Sequence, residues 1–174
     1  MEADWLDRFL ALMPHRPAVL DIGCGSGEPM ARYLADRGCD VTGIDSAPEM
    51  TALFSAHLPG HSWHVADMRS LSLGRAFNGV LAWDSFFHLR HDDQQRMFPI
   101  FRAHAERGAA LMFTSGPDHG VAMGTFEGEP LYHASLSSDE YRSLLTENGF
   151  EVVAHAVEDP TCGRHTIWLA RAKC

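Results

Sequence analysis

The sequence has few basic residues and no cluster of them. Fourteen lysines and arginines stand against 23 aspartates and glutamates, which gives a formal net charge of −9. Because a protein that follows nucleic-acid phosphates needs a basic surface, this balance argues against a nucleic-acid partner. No hydrophobic run approaches the length of a membrane span, and the first residues lack the apolar core of a secretory signal. These absences predict a cytoplasmic protein without a membrane or nucleic-acid partner.

Cysteine is also sparse, and its spacing excludes a recognisable zinc motif. The four cysteines are Cys24, Cys39, Cys162 and Cys174, with no closely spaced pair among them. In a cytoplasmic protein they are expected to be reduced thiols. At 174 residues, of which 45% are hydrophobic, the chain is long enough for one core and short for two. We therefore expect a single domain over residues 1–174, without a metal site.

The most informative stretch is an apolar run that ends in three alternating glycines. Ala18 begins the run, and Gly23, Gly25 and Gly27 follow it. Glycine tolerates positive φ and lets another group approach the backbone closely, and Pro29 suits the first turn of a helix. The stretch therefore predicts a strand, a tight loop and a helix N-terminus, the arrangement with which α/β proteins hold nucleotide-like ligands.

Hydrophobic periodicity and turn residues predict alternating helices and strands along the chain. The predicted helices cover about 3–13, 29–37, 46–57, 92–106 and 138–148. After the strand that begins at Ala18, further strands are predicted at 39–44, 62–66, 77–83, 109–114, 150–156 and 166–171. The last two strands have no helix between them, so one should run antiparallel. The first helix is expected either to pack on the sheet or to close over a ligand. Ser46 and Glu49 suggest a capping box at the start of the third helix. Residues 115–137 are predicted to be a long loop.

Four aspartates follow the predicted strands: Asp21, Asp45, Asp67 and Asp84. The carboxyl ends of parallel strands lie along one edge of the sheet, where ligands bind. Each aspartate on its own could equally serve in a turn or as a helix cap. As an ordered set beside a glycine loop, they indicate a binding site.

The glycine spacing discriminates between cofactors. A dinucleotide-binding fingerprint would place its third glycine at position 28, but that residue is Glu28, and an acid at a helix N-terminus does not suit a pyrophosphate. Asp21 followed by Gly23, Gly25 and Gly27 resembles the first motif of the class I S-adenosylmethionine-dependent methyltransferases. The resemblance implies a Rossmann-like α/β/α sandwich with a seven-stranded, mostly parallel sheet and an antiparallel C-terminal strand. It also implies S-adenosylmethionine as cofactor and S-adenosylhomocysteine as product.

The same resemblance implies roles for individual residues. Asp45 would hold both ribose hydroxyls, and Asp67 would accept a hydrogen bond from the adenine amino group, with Met68 beside the ring. Ser46 would line the adenosine pocket. The remaining cofactor-binding residues are expected in the glycine loop and at the methionine end: Asp21, Gly23, Cys24, Gly25, Gly27, Trp83 and Asp84.

The methyl acceptor is less well defined by the sequence. Enzymes that methylate nucleobase amines carry an Asn/Asp-Pro-Pro-aromatic stretch after the fourth strand, whereas residues 84–88 read Asp-Ser-Phe-Phe-His. This departure favours a small-molecule acceptor. His88 is the candidate general base, although it could instead cap a helix or pack on Phe87. Side chains that could line the acceptor pocket are Asp118, His119, Tyr132 and His133, of which we expect two, and Phe86, Phe87 and Phe126.

We therefore predict a methyltransferase that acts on a small molecule by in-line transfer. The alternatives are a cofactor-binding domain without catalytic activity, working through a protein partner, and a nicotinamide-dependent oxidoreductase. His88 and His91 have no third ligand nearby in the sequence, so no metal is expected. Either a partner subunit, in a homodimer, or the loop at 115–137 is expected to close the site.

Overall fold

The computed structural model describes residues 2–126 and 128–174 of the chain. Its helices are α1 (Glu2–Leu10), α2 (Met30–Asp36), α3 (Pro48–His57), α4 (His91–Ala103) and α5 (Ser138–Glu147). Its strands are β1 (Ala18–Ile22), β2 (Asp40–Asp45), β3 (Ser62–Val65), β4 (Phe77–Ala82), β5 (Ala105–Ser115), β6 (Gly120–Phe126), β7 (Glu129–Ser135), β8 (Phe150–Asp159) and β9 (His165–Ala172). Short 3₁₀ turns occupy Met68–Ser70 and Phe86–His88.

Seven strands form one sheet in the order β3-β2-β1-β4-β5-β9-β8. The pairs from β3 to β5 are parallel, and β9 lies antiparallel to both of its neighbours, β5 and β8. The predicted Rossmann-like sheet with one antiparallel strand near the C-terminus is confirmed. The carboxyl ends of β1, β2 and β4 therefore lie at one edge of the sheet, and the N-terminal end of the antiparallel β9 lies at the same edge.

Each face of the sheet is covered by its own core. On one face α4 and α5 pack on the sheet through an aromatic cluster, in which Phe86 and Phe113 have ring centroids 5.2 Å apart. On the other face lie α1, α2 and α3. The first helix packs on the sheet through Trp5 and Phe9, and the Trp5 indole N–H donates to Asp159 at 2.8 Å. The result is a three-layer α/β/α sandwich, as predicted.

The predicted loop at 115–137 is wrong in part, because most of it forms the hairpin β6–β7. The two strands pair antiparallel from Gly120 with Ser135 to Phe126 with Glu129. The hairpin is separate from the main sheet, and its strand β6 leaves Val121 and Met123 more than half exposed. Only the end of β7, at Ala134 and Ser135, is buried, and the other described residues of the ribbon are exposed or half-buried, so its sequence lacks the alternation that signals a strand.

Several predicted element ends also differ from the structure, among them the start of β5, which lies at Ala105 and not at 109, and the end of β8, which lies at Asp159 and not at 156. Helix α1 ends at Leu10, and α4 ends at Ala103 because Ala105 already pairs with Phe77 of β4. The predicted capping box of Ser46 and Glu49 does not form: α3 begins at Pro48, without a side-chain cap. In the part of the chain that the structure describes, no helix is long and apolar enough to cross a membrane.

Candidate active site

The loop after β1 is held against the end of β2 by its own backbone. The N–H groups of Gly23 and Cys24 both donate to the carbonyl oxygen of Ile44, at 2.7 and 2.9 Å. Gly23 has φ +74°, and a Cβ at this position would lie 2.3 Å from the Cβ of Ser85. The loop therefore needs glycine here for backbone conformation and for close contact with the segment after β4.

The other two glycines have different surroundings. Gly25, at φ +53°, has open space where a Cβ would be, whereas a Cβ on Gly27 would lie 2.8 Å from the ring of Phe54. Gly25 thus faces a cavity. Gly27 is required for the packing of the loop on α3, and its predicted cofactor contact stays a prediction.

A cavity of about 480 Å³ opens at the carboxyl edge of the sheet, and we call it the central cavity. The residues that line it are Gly23, Gly25, Ile44, Asp45, Ser46, Ala66, Asp67, Met68, Arg69, Asp84, Ser85, His88 and Leu89. Eight of the predicted site residues meet here: Gly23, Gly25, Asp45, Ser46, Asp67, Met68, Asp84 and His88. They come from the ends of β1, β2, β3 and β4, so the parallel sheet brings them together as expected.

Asp45 has a carboxylate that is held in place by backbone donors. One oxygen accepts from the N–H of Gly25 at 3.0 Å, and the other accepts from the N–H of Ala47 at 2.9 Å. This second bond fixes the backbone just before α3, which has no side-chain cap of its own. A carboxylate fixed in this way retains further lone pairs, which can accept from a vicinal diol.

Asp67 is engaged by a neighbour that the sequence reasoning did not consider. The Arg69 guanidinium donates to the Asp67 carboxylate, with Nη2 2.6 Å from Oδ2, and the Arg69 backbone N–H donates to Oδ1 at 2.9 Å. These hydrogen bonds lower the pKa of Asp67. Its predicted hydrogen bond with the adenine amino group would have to share the carboxylate with Arg69.

A second cavity, of about 280 Å³, adjoins the central one at Gly23, Gly25 and Asp84, and we call it the small cavity. The residues that line it are Glu2, Asp21, Gly23, Cys24, Gly25, Glu28, Pro29, Met30, Trp83 and Asp84. Asp21 is only 2% exposed, and burial, followed by the negative charge of Asp45, raises its pKa to about 7. Burial also raises the pKa of the Cys24 thiol. Because several of its lining residues are acidic, the small cavity suits a cationic group.

A third cavity, of about 830 Å³, lies under the hairpin, and we call it the hairpin cavity. Its walls come from the ends of β4 and β5, from the hairpin β6–β7 and from the start of β9. Three of the four predicted acceptor-pocket candidates line it, namely Asp118, His119 and His133, and Phe87 does so as well. Tyr132 borders a neighbouring surface groove instead. Phe86 is buried in the core, and the side chain of Phe126 lies outside the described part of the chain.

His88 lies where the central and hairpin cavities meet, because it lines both. Its Nδ1 is 3.1 Å from the carbonyl oxygen of Tyr132 in β7. A carbonyl oxygen can only accept, so Nδ1 carries the proton and the neutral ring keeps its lone pair on Nε2. The ring also packs edge-on against Phe87, at 4.7 Å between centroids. His88 therefore packs on Phe87 and still offers a basic nitrogen to the site. The alternative that it caps the next helix is wrong, because the N-cap of α4 is Arg90 and α4 has no side-chain cap.

His165 is a site residue that the sequence analysis missed. It lines the hairpin cavity, and its Nε2 lies 2.9 Å from Oδ2 of Asp84. Because β9 runs antiparallel to the other strands, its first residue lies at the edge where the parallel strands end. The prediction of a terminal hairpin contained this signal, since it also places the turn before the last strand beside the site.

The described residues contain no group of three or more His, Cys, Asp and Glu side chains arranged to hold a metal ion. They do fit S-adenosylmethionine. Gly25 leaves open backbone at the cavity wall, Asp45 offers a fixed carboxylate for a diol, and the buried Asp21 faces the small cavity, which suits an ammonium group.

The fold is that of the class I S-adenosylmethionine-dependent methyltransferases. The chain belongs to this family: residues 19–108, just over half of its length, match the family described as "Methyltransferase domain". Its cofactor is S-adenosylmethionine, and the nicotinamide-dependent alternative is not supported.

Individual relatives agree with this assignment. The chain is 35% identical over 106 residues to magnesium-protoporphyrin O-methyltransferase of Rhodobacter capsulatus, covering 57% of this chain and 45% of the relative. It is 26% identical over 112 residues to a dTDP-3-amino-3,4,6-trideoxy-glucopyranose N,N-dimethyltransferase of Streptomyces venezuelae, covering 63% and 47% of the two chains. The chain therefore spans about half the length of these curated relatives.

A solved structure extends the likeness over the whole chain. An amino pentose methyltransferase from Micromonospora echinaspora, solved with S-adenosylmethionine bound, superposes with a TM-score of 0.82 at 24% identity. The superposition covers 99% of this chain and 90% of that one. At this identity the likeness establishes the fold.

Proposed function

We propose that the chain transfers a methyl group from S-adenosylmethionine to a small molecule bound in the hairpin cavity. The main observation in support is that Asp84 and His88 line both the central cavity and the hairpin cavity. Two ligands bound in these cavities would meet at that point. An in-line displacement needs this geometry, with the acceptor atom facing the group that it receives.

In this proposal the cofactor extends from the central cavity into the small cavity. Asp45 binds the ribose hydroxyls, while Ser46, Asp67 and Met68 surround the adenine. Asp21 binds the ammonium group in the small cavity, because a buried carboxyl that meets a cation gains by ionising. When bound, S-adenosylmethionine supplies an electrophilic methyl group on a positively charged sulfur.

His88 is proposed as the general base. Its Nε2 lone pair is free to take the proton that an amine or hydroxyl acceptor loses as the new bond forms. The Tyr132 carbonyl, 3.1 Å from Nδ1, holds the ring in the required tautomer and orientation. General-base catalysis at His88 therefore depends on the hairpin being in place.

The relatives support an acceptor of small-molecule size. The names of the two curated relatives give a magnesium protoporphyrin and a dTDP-linked amino sugar as substrates of those proteins. They differ in size, charge and reacting atom, so they support the class of acceptor and not one compound. The hairpin cavity, of about 830 Å³, could hold a drug-sized molecule.

The alternative is a domain that binds the cofactor without catalysing transfer. The two functions are separated by incubating the chain with S-adenosylmethionine and fractionated metabolite extracts and measuring S-adenosylhomocysteine by mass spectrometry. Methyltransferase activity produces S-adenosylhomocysteine in at least one fraction, above the level seen without extract. Tight cofactor binding with no product in any fraction would favour the non-catalytic domain.

Three sequence-based predictions concern the setting of this activity. A single domain over residues 1–174, a cytoplasmic location and closure of the site by a homodimer partner stay predictions. Closure by the segment at 115–137 is favoured by the hairpin, which already covers the proposed acceptor cavity.

A further inference from the structure

Asp84 occupies the point where all three cavities meet, since it lines the central, small and hairpin cavities. The reactive sulfur of the cofactor must lie near this point if the adenosine occupies the central cavity and the amino-acid group the small one. A carboxylate in this position attracts the sulfonium of S-adenosylmethionine more strongly than the neutral sulfur of S-adenosylhomocysteine. The net charge at Asp84 therefore affects how readily S-adenosylhomocysteine is exchanged for S-adenosylmethionine.

The Asp84 carboxylate is held on both sides. Thr114 of β5 accepts from the Asp84 backbone N–H at 2.8 Å and donates from the same hydroxyl to Oδ1 at 3.2 Å. His165 of β9 contacts Oδ2 at 2.9 Å. Asp84 has φ +46°, in the left-handed region, which is uncommon for residues other than glycine although aspartate adopts it more often than most. Contacts from two other strands thus fix an unusual backbone conformation.

His165 carries a positive charge, and its geometry shows why. Its Nδ1 is 2.7 Å from the carbonyl oxygen of Cys162, and its Nε2 faces the Asp84 carboxylate. Both partners can only accept, so both ring nitrogens donate, which requires the imidazolium form. The ring also lies 5.4 Å from the ring of Trp83, a contact that favours a cation.

We propose that His165 is a positioning and charge-compensating residue, which acts through Asp84 to limit the preference of the site for S-adenosylmethionine over S-adenosylhomocysteine. It fixes the carboxylate and cancels most of its charge at the point of transfer. Without this compensation the site favours the cationic cofactor more strongly. The proposal rests on the methyl-transfer function above only for the position of the sulfur.

The pH dependence of this compensation follows from the pair. The hydrogen bond that His165 donates to the Asp84 carboxylate is the main reason that the pKa of His165 rises to about 9, so the imidazolium persists at neutral pH. Other charged or titratable groups around the pair come from α1, from the end of β8, from the turn that follows it and from the hairpin: Glu2, Glu158, Asp159, Arg164 and His133. Glu2 adds to the rise, and Arg164 is paired with Glu158 at 3.3 Å.

The test compares dissociation constants for the two ligands, measured by isothermal titration calorimetry. S-adenosylmethionine and S-adenosylhomocysteine differ only in the methyl group and the positive charge on sulfur, so a change in the ratio of their constants when a nearby charge is altered reports the effect of that charge on the sulfonium. In His165→Gln we expect this preference for S-adenosylmethionine to increase about tenfold, since one charge at a partly exposed site is lost. His165→Arg, which restores the charge, should return the ratio toward wild type.

Two further measurements separate this role from a merely structural one. In the wild type the preference should rise between about pH 8 and about pH 10, as His165 loses its proton, and this rise should be absent in His165→Gln. When Asp84→Asn is already present, adding His165→Gln should not change the preference for S-adenosylmethionine further. His64→Gln, at an exposed position in β3, is the matched control.

A ratio that stays constant in His165→Gln would overturn the proposal, and so would equal weakening of both ligands, which marks a structural role. The wild-type pH dependence needs no variant, so a His165 variant that fails to fold does not remove the test. If both ligands bind with the expected ratio but no methylated product forms, the proposed methyl transfer is wrong and the proposal for His165 stands. If neither ligand binds the wild type, both proposals are wrong.

Discussion

The carboxylate of Asp45 accepts a hydrogen bond from the backbone N–H of Gly25 at 3.0 Å, so the end of β2 holds the glycine loop that follows β1. Its other oxygen accepts from the N–H of Ala47, before the start of α3. One side chain therefore links two neighbouring strand ends and faces the central cavity. The acid serves the structure of the site as well as its proposed contact with the ribose.

Asp45→Ala is expected to weaken S-adenosylmethionine binding by about 1.5–3 kcal/mol, the usual range for hydrogen bonds to a charged group. Isothermal titration calorimetry measures this directly. Asp40→Ala is a matched control at the other end of the same strand, where the exposed carboxylate lies 3.9 Å from Arg75. Equal affinities of Asp45→Ala and wild type would remove Asp45 from the cofactor site.

Two alanine substitutions in the glycine loop should destabilise the fold to different extents. Gly23→Ala places a Cβ 2.3 Å from that of Ser85, and we expect it to destabilise the fold by roughly 3 kcal/mol or more, measured by urea unfolding. Gly25→Ala meets no atom within 4 Å, so it should cost only about 1–2 kcal/mol for the left-handed conformation.

Cofactor binding distinguishes the two positions further. Gly25→Ala projects a methyl group into the proposed ligand space, and we expect its affinity for S-adenosylmethionine to fall at least tenfold in a folded protein. Gly60→Ala, which also has positive φ and open surroundings, controls for backbone strain alone. Unchanged affinity in Gly25→Ala would show that the cofactor does not approach this loop.

Much of the fold could be predicted because its signals are local. Strands β1, β2 and β4 are short, largely buried runs that end at a turn, and an acid stands at or just after the end of β1, β2, β3 and β4. The direction of the strands then places Asp21, Asp45, Asp67 and Asp84 at one edge. The predicted site residues in the central cavity follow from this rule alone.

The remaining features depend on contacts between distant segments. Asp84 and His165 are 81 residues apart and meet only because β9 is inserted antiparallel beside β5. The hairpin β6–β7 was missed because it lies outside the main sheet and is buried only at the end of β7, so burial imposes no alternation along its strands. Arg69 forms an ion pair with Asp67, and both side chains are exposed. Hydrophobic periodicity in the sequence gives no signal for such a pair.

His88→Gln should slow methyl transfer and leave cofactor binding intact. Loss of a general base typically lowers turnover by about 10²–10⁴-fold, while the dissociation constant of S-adenosylmethionine should change less than about twofold, because other residues supply the proposed cofactor contacts. The measurement uses whichever metabolite fraction yields S-adenosylhomocysteine. His64→Gln, at an exposed position in β3, should behave as wild type. Weakened cofactor binding with unchanged turnover would reassign His88.

Asp21 should make the ligand-free protein less stable as the pH rises. Burial raises its pKa from 3.8 to about 7, so between about pH 4 and pH 7 the folded chain keeps a proton that the unfolded chain has lost. The contribution of the protonated carboxyl is therefore intact below pH 4 and is lost progressively up to about pH 7. The slope from this group is at most about 1.4 kcal/mol per pH unit.

Urea unfolding of wild type and Asp21→Asn at several pH values between 5 and 8 isolates this effect, because asparagine cannot ionise. The difference in unfolding free energy should move in favour of Asp21→Asn as the pH rises, whereas Asp36→Asn, on the exposed end of α2, should follow wild type throughout. A pH-independent difference would show that Asp21 is already ionised in the folded chain. Saturating S-adenosylmethionine should then reduce the advantage of Asp21→Asn at pH 8, since the proposed ammonium contact stabilises the ionised carboxylate and is missing from the variant.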